Sequence, residues 1–180
     1  MLSSILLGLK RKILGIELVR RVLSRVLGRP IRFSWVIEGK IAWSSRIYSR
    51  RELKWLVKQG IRAVLTVDDK PLSKNLMDYM KKHGVSSKYI MLPDHAFPTT
   101  EQIRQALLFI THNIADQMPV LVHCNAGIGR SGVIIAIYLI NSGLSPEDAI
   151  MVLRSLRPEA IEPEQERTLI SIYSGEDKKQ

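Results

Sequence analysis

Most of the architecture follows from one stretch of the sequence, VLVHCNAGIGRS, residues 120–131. It begins with an apolar, β-branched run at 120–122, which predicts a buried strand. It is followed by an apolar run at 132–140 that is long enough for a buried helix. Between the two lies a short loop that starts at the only cysteine of the chain, Cys124, and ends at Arg130. The sequence therefore predicts a strand–loop–helix unit at the centre of the molecule.

A loop of this kind is expected to bind anions. Consecutive backbone N–H groups in a tight turn face a common centre, and the following helix adds the positive potential of its N-terminus. Gly127 and Gly129 allow backbone angles and close approaches that a side chain would block. The guanidinium of Arg130 can hold two phosphate oxygens at once. The thiolate of Cys124 should be favoured in this field and can attack phosphorus. The alternative is a buried structural cysteine followed by an ordinary turn.

The pattern His-Cys-x5-Arg-Ser, formed by His123, Cys124, Arg130 and Ser131, resembles the signature of the cysteine-based protein tyrosine phosphatases. Over residues 33–173 the chain is similar to the small atypical, VH1-like dual-specificity phosphatases. The segments that carry this similarity are 33–36, 39–42, the turn at 60, the loop 92–98, and the stretches 156–158 and 161–166.

The resemblance implies phosphomonoester hydrolysis through a cysteinyl-phosphate intermediate, with no metal and no cofactor. It implies that a phosphate or another oxyanion binds in the active-site loop. The residues expected to bind it are Asn125, Ala126, Gly127, Ile128, Gly129 and Arg130.

The resemblance also places a general acid on an upstream loop that follows a strand. The loop Leu-Pro-Asp-His-Ala-Phe-Pro, residues 92–98, fits this position, and it makes Asp94 the expected acid. Prolines on both sides stiffen such a loop and keep it out of the sheet. Asp68 and Asp69, on another loop after a strand, are the rival candidates, and Asp94 could instead simply open a turn.

Three further roles are implied by the same resemblance. His123 is expected to hold the cysteine in place through hydrogen bonds rather than to act as a base. Ser131 is expected to stabilise the thiolate when it leaves the phosphoenzyme, and as a helix-start residue it could also cap the backbone. Gln165 is a candidate for positioning the hydrolytic water, and the alternative is a surface helix residue.

The expected substrates are phosphorylated proteins, with phosphotyrosine first and phosphoserine or phosphothreonine accepted if the pocket is shallow. The middle of the loop, 125–129, carries no lysine or arginine, which disfavours polyphosphoinositides. A phospholipid phosphatase or an RNA 5′-phosphatase of the same fold stays open as an alternative. A phosphate-binding module without turnover is a third interpretation.

Residues 1–30 are predicted to form a basic amphipathic helical extension. Residues 1–32 contain eight lysines and arginines against Glu17 alone, so this segment holds +7 of the formal net charge of +10. It is interpreted as a helix packed on the catalytic domain, as a membrane-surface contact or nucleic-acid contact through residues 1–29, or as a mitochondrial-type leader. No apolar run is long enough to span a membrane, and the charges follow the apolar stretch, unlike those of a secretory signal.

A single cysteine excludes an intramolecular disulfide and favours a reducing compartment. We therefore expect a cytoplasmic protein, peripheral to a membrane if the extension binds one. Few asparagines and abundant isoleucine, lysine and arginine are typical of a thermophilic source such as an archaeon.

Predicted strands alternate with predicted helices along the rest of the chain. This pattern predicts an α/β catalytic domain over residues 31–175, with a central, mostly parallel sheet of about five strands flanked by helices on both faces. Residues 176–180 are expected to be a frayed tail. The predicted strands lie in 31–42 (two), 61–67, 85–92 and 119–123, and the predicted helices lie at 50–59, 73–83, 99–117, 132–140, 145–157 and 163–175.

Overall fold

The computed structural model describes residues 16–174, so residues 1–15 of the predicted extension and the predicted tail at 176–180 lie outside the described residues. The strands are β1 (Ser34–Ile37), β2 (Ile41–Ser44), β3 (Ala63–Asp68), β4 (Ser86–Met91) and β5 (Val120–His123). The helices are α1 (16–27), α2 (Arg50–Lys58), α3 (Lys74–Lys82), α4 (Thr100–Ala115), α5 (Arg130–Asn141), α6 (Pro146–Leu156) and α7 (Pro163–Tyr173).

The five strands form one sheet in the order β1-β2-β5-β3-β4. β5 pairs in parallel with both β2 and β3, and β3 pairs in parallel with β4. Only the hairpin partner β1 runs antiparallel, against β2. The predicted α/β class and the mostly parallel sheet are confirmed.

Alternate side chains of the inner strands point into two separate hydrophobic cores. Leu65 and Val122 belong to the core beneath α4–α7, whereas Val64 and Leu121 belong to the core beneath α2 and α3. Every residue of β5 is buried, which explains its continuous apolar run. Helices on both faces therefore cover the sheet, as predicted.

The local signals in the sequence account for several helix starts. Ser49 and Thr99 each cap a helix through a capping box, with Glu52 and Gln102 as the reciprocal partners. Ser145 caps α6, which has a proline in its first turn. One boundary differs from the prediction, because α5 begins at Arg130 rather than at Gly132.

The fold brings the candidate catalytic segments to one edge of the sheet. Parallel strands place their carboxyl ends side by side, and ligands of open α/β sheets bind there. Asp68 ends β3, Cys124 directly follows β5, and Asp94 lies just beyond β4. Helix α1 lies at the same edge, where Glu17 and Arg20 line a cleft together with Asp94. Among the described residues, no helix has the length and apolar character needed to cross a membrane.

Candidate active site

The carbonyl groups in the first half of the loop point outward to donors on neighbouring segments. Those of residues 125–127 accept hydrogen bonds from the backbone N–H of Arg46 (3.2 Å), from Arg32 Nη1 (3.4 Å) and from Arg157 Nη1 (2.6 Å) respectively. The N–H and C=O of a planar trans peptide point in opposite directions. The N–H groups of residues 126–128 therefore face the inside of the loop, as an anion site requires.

The Ile128–Gly129 peptide has the opposite orientation. The N–H of Gly129 donates outward to the carbonyl of Ala160 at 3.0 Å. The carbonyl of Ile128 faces inward and accepts a hydrogen bond from the thiol of Cys124 at 3.3 Å. In this arrangement the thiol of Cys124 donates to the loop itself.

Cys124 ends a short chain of hydrogen bonds that begins in the core. The indole Nε1–H of Trp43 donates to Ser131 Oγ at 2.8 Å, and the hydroxyl of Ser131 donates to Cys124 Sγ at 3.1 Å. All three side chains are buried. Because the indole can only donate, the hydroxyl of Ser131 accepts from it, and its own proton is directed to the sulfur.

His123 lies one residue before the nucleophile candidate and is completely buried. Its Nε2 is 2.9 Å from Thr66 Oγ1, and its Nδ1 is 3.4 Å from the carbonyl oxygen of Cys124. Burial lowers the pKa of His123 to about 3, so the ring is neutral at physiological pH. Its contacts tie β5 to β3 and do not involve the sulfur.

Arg130 is buried in the first turn of α5 and is surrounded by carboxylates. Its Nη1 lies 3.0 Å from Asp68 Oδ1 and 3.7 Å from Asp69 Oδ1, and its Nη2 lies 3.0 Å from Asp94 Oδ1. Nη1 also donates to the carbonyl of Leu92. The buried Nε–H has no hydrogen-bond partner among the described residues. The guanidinium is thus fixed on one side and keeps a free donor on the other.

The two rival acids hold different positions. Asp68 is fully buried between Arg130 and Arg46, whose Nη1 donates to its Oδ2 at 2.8 Å. Burial, followed by a hydrogen bond with Asp69, raises the pKa of Asp68 to about 6 despite the two arginines. The same hydrogen bond lowers the pKa of Asp69. Asp68 is therefore ionised above about pH 6, where it neutralises the two cations that it contacts.

Asp94 lies on an exposed loop, and 64% of its side chain is accessible. Its neighbour His95 lies between two carboxylates, with Nδ1 2.8 Å from Glu162 Oε2 and Nε2 3.7 Å from Asp94 Oδ2. The hydrogen bond to Glu162 raises the pKa of His95. Glu162 precedes α7, so this contact attaches the loop of Asp94 to the last helix.

Gln165 is a buried residue of α7 rather than a surface residue. Its Nε2 donates to the carbonyl of Ala96 at 3.1 Å, next to His95 on the loop of Asp94. Its Oε1 has no partner among the described residues and lies 3.1 Å from the point that a Cβ on Gly129 would occupy. The free acceptor of Gln165 is therefore close to the active-site loop.

Arg157, to which the sequence assigned no role, holds the active-site loop through hydrogen bonds to backbone carbonyls. Besides the Gly127 carbonyl, its guanidinium donates to the carbonyls of Arg32 and Trp43 and to Ser34 Oγ, and it lies 3.7 Å from the centre of the Trp43 ring. Burial lowers the pKa of Arg157 to about 9, so it stays charged at neutral pH. In the sequence, Arg157 stands out only as part of the segment 156–158 that carries the family resemblance. Arg46 was missed because nothing in its local sequence indicates a contact with Asp68.

Comparison with known protein families agrees with this geometry. Residues 30–170 match the family model described as "PTP-SAK: Swiss Army Knife protein, DSP-PTPase phosphatase domain". The chain therefore belongs to the dual-specificity and protein tyrosine phosphatase family. The predicted family is confirmed.

Individual relatives differ in their named substrates. The chain is 29% identical over 129 residues to the phosphatidylglycerophosphate phosphatase PTPMT1 of Arabidopsis thaliana, covering 71% of this chain and 36% of that protein. It is 33% identical over 112 residues to protein tyrosine phosphatase type IVA 3 of Bos taurus, covering 61% of this chain and 63% of that protein. The chain thus spans about a third of the plant relative and somewhat under two thirds of the bovine one.

Among solved structures, the chain is similar to Tk-PTP in its active form. The TM-score is 0.69 at 30% identity, with 81% of this chain and 97% of that chain covered. The structure of PTPMT1 in complex with PI(5)P has a TM-score of 0.68 at 21% identity, covering 79% of this chain and 94% of that one. The latter similarity establishes the fold alone.

Replacing Arg157 by methionine should destabilise the protein and misplace the loop. Several buried carbonyls would lose their donor, and we expect the free energy of unfolding to fall by about 2–4 kcal/mol. Lysine should not restore it, because one ammonium cannot reach the same set of acceptors. Arg154→Met, in the last turn of α6 just before Arg157 but in an exposed pair with Glu166, is the control and should cost about 1 kcal/mol or less. Denaturant titration measures both, and equal effects would contradict the role of Arg157.

Gly127→Ala should abolish most activity, whereas Gly39→Ala should not. Both glycines have a positive φ, +71° and +68°, so both substitutions carry a similar backbone cost of roughly 1–2 kcal/mol. A Cβ on Gly127 would lie 2.7 Å from the backbone N of Ser45, whereas no atom of the described residues lies within 4 Å of one on Gly39. Turnover of p-nitrophenyl phosphate, normalised to folded protein, separates the two. Similar residual activities would show that the close approach at Gly127 is unimportant.

Proposed function

We propose that this protein hydrolyses phosphomonoesters through a cysteinyl-phosphate intermediate. The observation that carries the proposal is the unpartnered, buried Nε–H of Arg130 beside the inward-facing amides of residues 126–128. Among residues 16–174 these donors have no hydrogen-bond acceptor, and they suit the equatorial oxygens of a phosphoryl group.

In the first step the thiolate of Cys124 attacks phosphorus. The S–P bond forms while the bond from phosphorus to the leaving oxygen breaks, and Asp94 transfers its proton to that oxygen. Asp94 is favoured over Asp68 because it is exposed toward the cleft, whereas Asp68 is enclosed by Arg46 and Arg130. Formation of the thiolate removes the proton that Ile128 accepts, so we expect this carbonyl to turn away from the sulfur during the cycle.

In the second step a water molecule attacks the phosphocysteine. The ionised Asp94 takes the proton of this water, and the S–P bond breaks to release the thiolate. Ser131 donates its hydrogen bond to the departing sulfur. Gln165 is proposed to orient the water through its free Oε1.

The proposed substrates are phosphorylated proteins, with phosphotyrosine preferred and phosphoserine or phosphothreonine accepted. The similarity to the bovine protein tyrosine phosphatase supports this class. A phosphomonoester on a lipid is the second candidate. It is favoured by the similarity to a phosphatidylglycerophosphate phosphatase and by the position of α1 at the cleft. Turnover of phosphotyrosyl peptides against phosphatidylglycerophosphate in vesicles distinguishes the two.

The acid can be identified from pH profiles of p-nitrophenyl phosphate hydrolysis. Cys124→Ser should be inactive, and Asp94→Ala should be slower by roughly 10²–10⁴. A general acid must be protonated, so the fall in kcat/KM at rising pH should disappear in Asp94→Ala and persist in Asp68→Asn and Asp69→Ala. An active Cys124→Ser would refute the thiol mechanism. If the fall in kcat/KM at rising pH disappeared only in Asp68→Asn, the general acid would be Asp68 instead.

Ser131→Ala should slow the second step more than the first. Without its hydroxyl the leaving thiolate loses one hydrogen bond, which is worth roughly 10²-fold in rate. Stopped-flow measurements should then show a burst of p-nitrophenol that equals the enzyme concentration, followed by slow turnover. Ser131→Thr keeps the hydroxyl and serves as the control. A slow first phase without a burst would assign Ser131 to the attack instead.

A further inference from the structure

Helix α1 packs on the domain with its polar side. Ser24 is fully buried, and Glu17 and Arg20, which precede it by two turns and one turn, are partly buried and line the active-site cleft. The N–H of Gly28 closes the helix on the carbonyl of Ser24. The face that contacts the catalytic domain is therefore charged and polar.

Most apolar side chains of α1 point away from the domain, and Ile16 at its start also lines the active-site cleft. Seven of them are between 47% and 71% exposed. At 3.6 residues per turn they cover about half of the helix circumference, opposite Glu17 and Ser24. They are Ile16, Leu18, Val19, Val22, Leu23, Val26 and Leu27. A continuous apolar face of this kind needs a partner, whereas other exposed apolar residues, such as Leu108 and Met151, lie on separate helices.

Arginines border this apolar face on both edges. Helical spacing places Arg20 next to one edge and Arg21 and Arg25 next to the other. Arg20 also lines the cleft and the guanidinium of Arg21 lies 5.4 Å from the centre of the Tyr48 ring of the domain, so the arginines available to a partner are Arg25 and, just beyond the helix, Arg29, which are both exposed. Residues 16–32 contain five arginines and one glutamate, and that glutamate faces the domain. This is the pattern of a helix that lies in the interface of a membrane with anionic lipids.

We propose that α1 binds the surface of an anionic lipid bilayer through this apolar face. The leucine and valine side chains enter the boundary between headgroups and acyl chains, and the exposed Arg25 and Arg29 contact the phosphates of the lipids. Glu17 and Arg20 line the cleft of Asp94 and Arg130 on the opposite side of the same helix. Binding would thus hold the opening of the active site within about one helix diameter (~10 Å) of the membrane surface. The proposal does not depend on the phosphatase activity.

The charges favour this occupant over the others. Two copies of α1 packed face to face would bring the arginine borders together with no exposed glutamate on the helix to pair with them. A nucleic acid would contact the arginines but would leave the leucines and valines uncovered, and α1 has no aromatic side chain for stacking on bases. An anionic bilayer satisfies both the apolar face and its borders.

Vesicle flotation with the full chain tests the proposal. The wild type should bind vesicles of phosphatidylglycerol and phosphatidylcholine, and should bind pure phosphatidylcholine more weakly. The triple variant Leu18→Ser, Val22→Ser, Val26→Ser should lose affinity by roughly tenfold or more, because three apolar side chains no longer enter the lipid. The pair Arg25→Gln, Arg29→Gln should weaken binding to the anionic vesicles and reduce its salt dependence.

Leu108→Ser with Met151→Ser is the matched control, since these side chains are 57% and 63% exposed on α4 and α6. It should bind vesicles like the wild type. All variants should hydrolyse p-nitrophenyl phosphate at the wild-type rate, which verifies folding. Equal vesicle binding by the triple variant and the wild type would overturn the proposal. The proposal would also be overturned if the wild type did not bind vesicles but formed a dimer or a nucleic-acid complex that the triple variant does not form.

Discussion

The geometry of the active site depends on the hydrogen bonds that the buried guanidinium of Arg157 donates. This guanidinium joins the end of α6 to β1, to β2 and to the carbonyl of Gly127 in the active-site loop. Placing a cation there is costly, and the cost is offset because the guanidinium has several acceptors and stacks on the Trp43 ring. By turning the Gly127 carbonyl outward, Arg157 leaves the amide of the next residue free to face an anion.

A second constraint comes from charge balance around Arg130. The guanidinium that is proposed to bind phosphate is already paired with Asp68 and Asp94. Asp68 is buried, so its contact with Arg130 stays in place and orients the guanidinium. Asp94 is exposed, so a substrate can replace it on Arg130. A phosphate that binds Arg130 would take the place of Asp94 on Nη2 and leave Asp68 as the carboxylate that holds the guanidinium. The same cluster can therefore orient the cation and still accept a substrate.

Much of the fold and the core of the candidate site could be predicted from the sequence, because their signals are local. The loop residues Cys124 to Arg130 are contiguous, and the strand and helix around them are apolar over most of their length. Arg46 and Arg157 could not be predicted in the same way, since their partners lie far away in the sequence and only the fold brings them together. The orientation of the Ile128–Gly129 peptide and the outward apolar face of α1 depend on tertiary contacts, which helical spacing alone does not contain.

The proposed nucleophile and the proposed acid are supported by parts of the molecule that differ in strength. Cys124 lies between β5 and α5 in the centre of the core, whereas the loop of Asp94 is attached to α7 and its N-terminal cap through His95–Glu162 and Gln165–Ala96. The contacts that attach the loop of Asp94 lie nearer the surface, and such contacts open at a lower free-energy cost than a central sheet. Moderate heating would thus release the acid first and create a form that still captures phosphate but has lost its ability to turn it over.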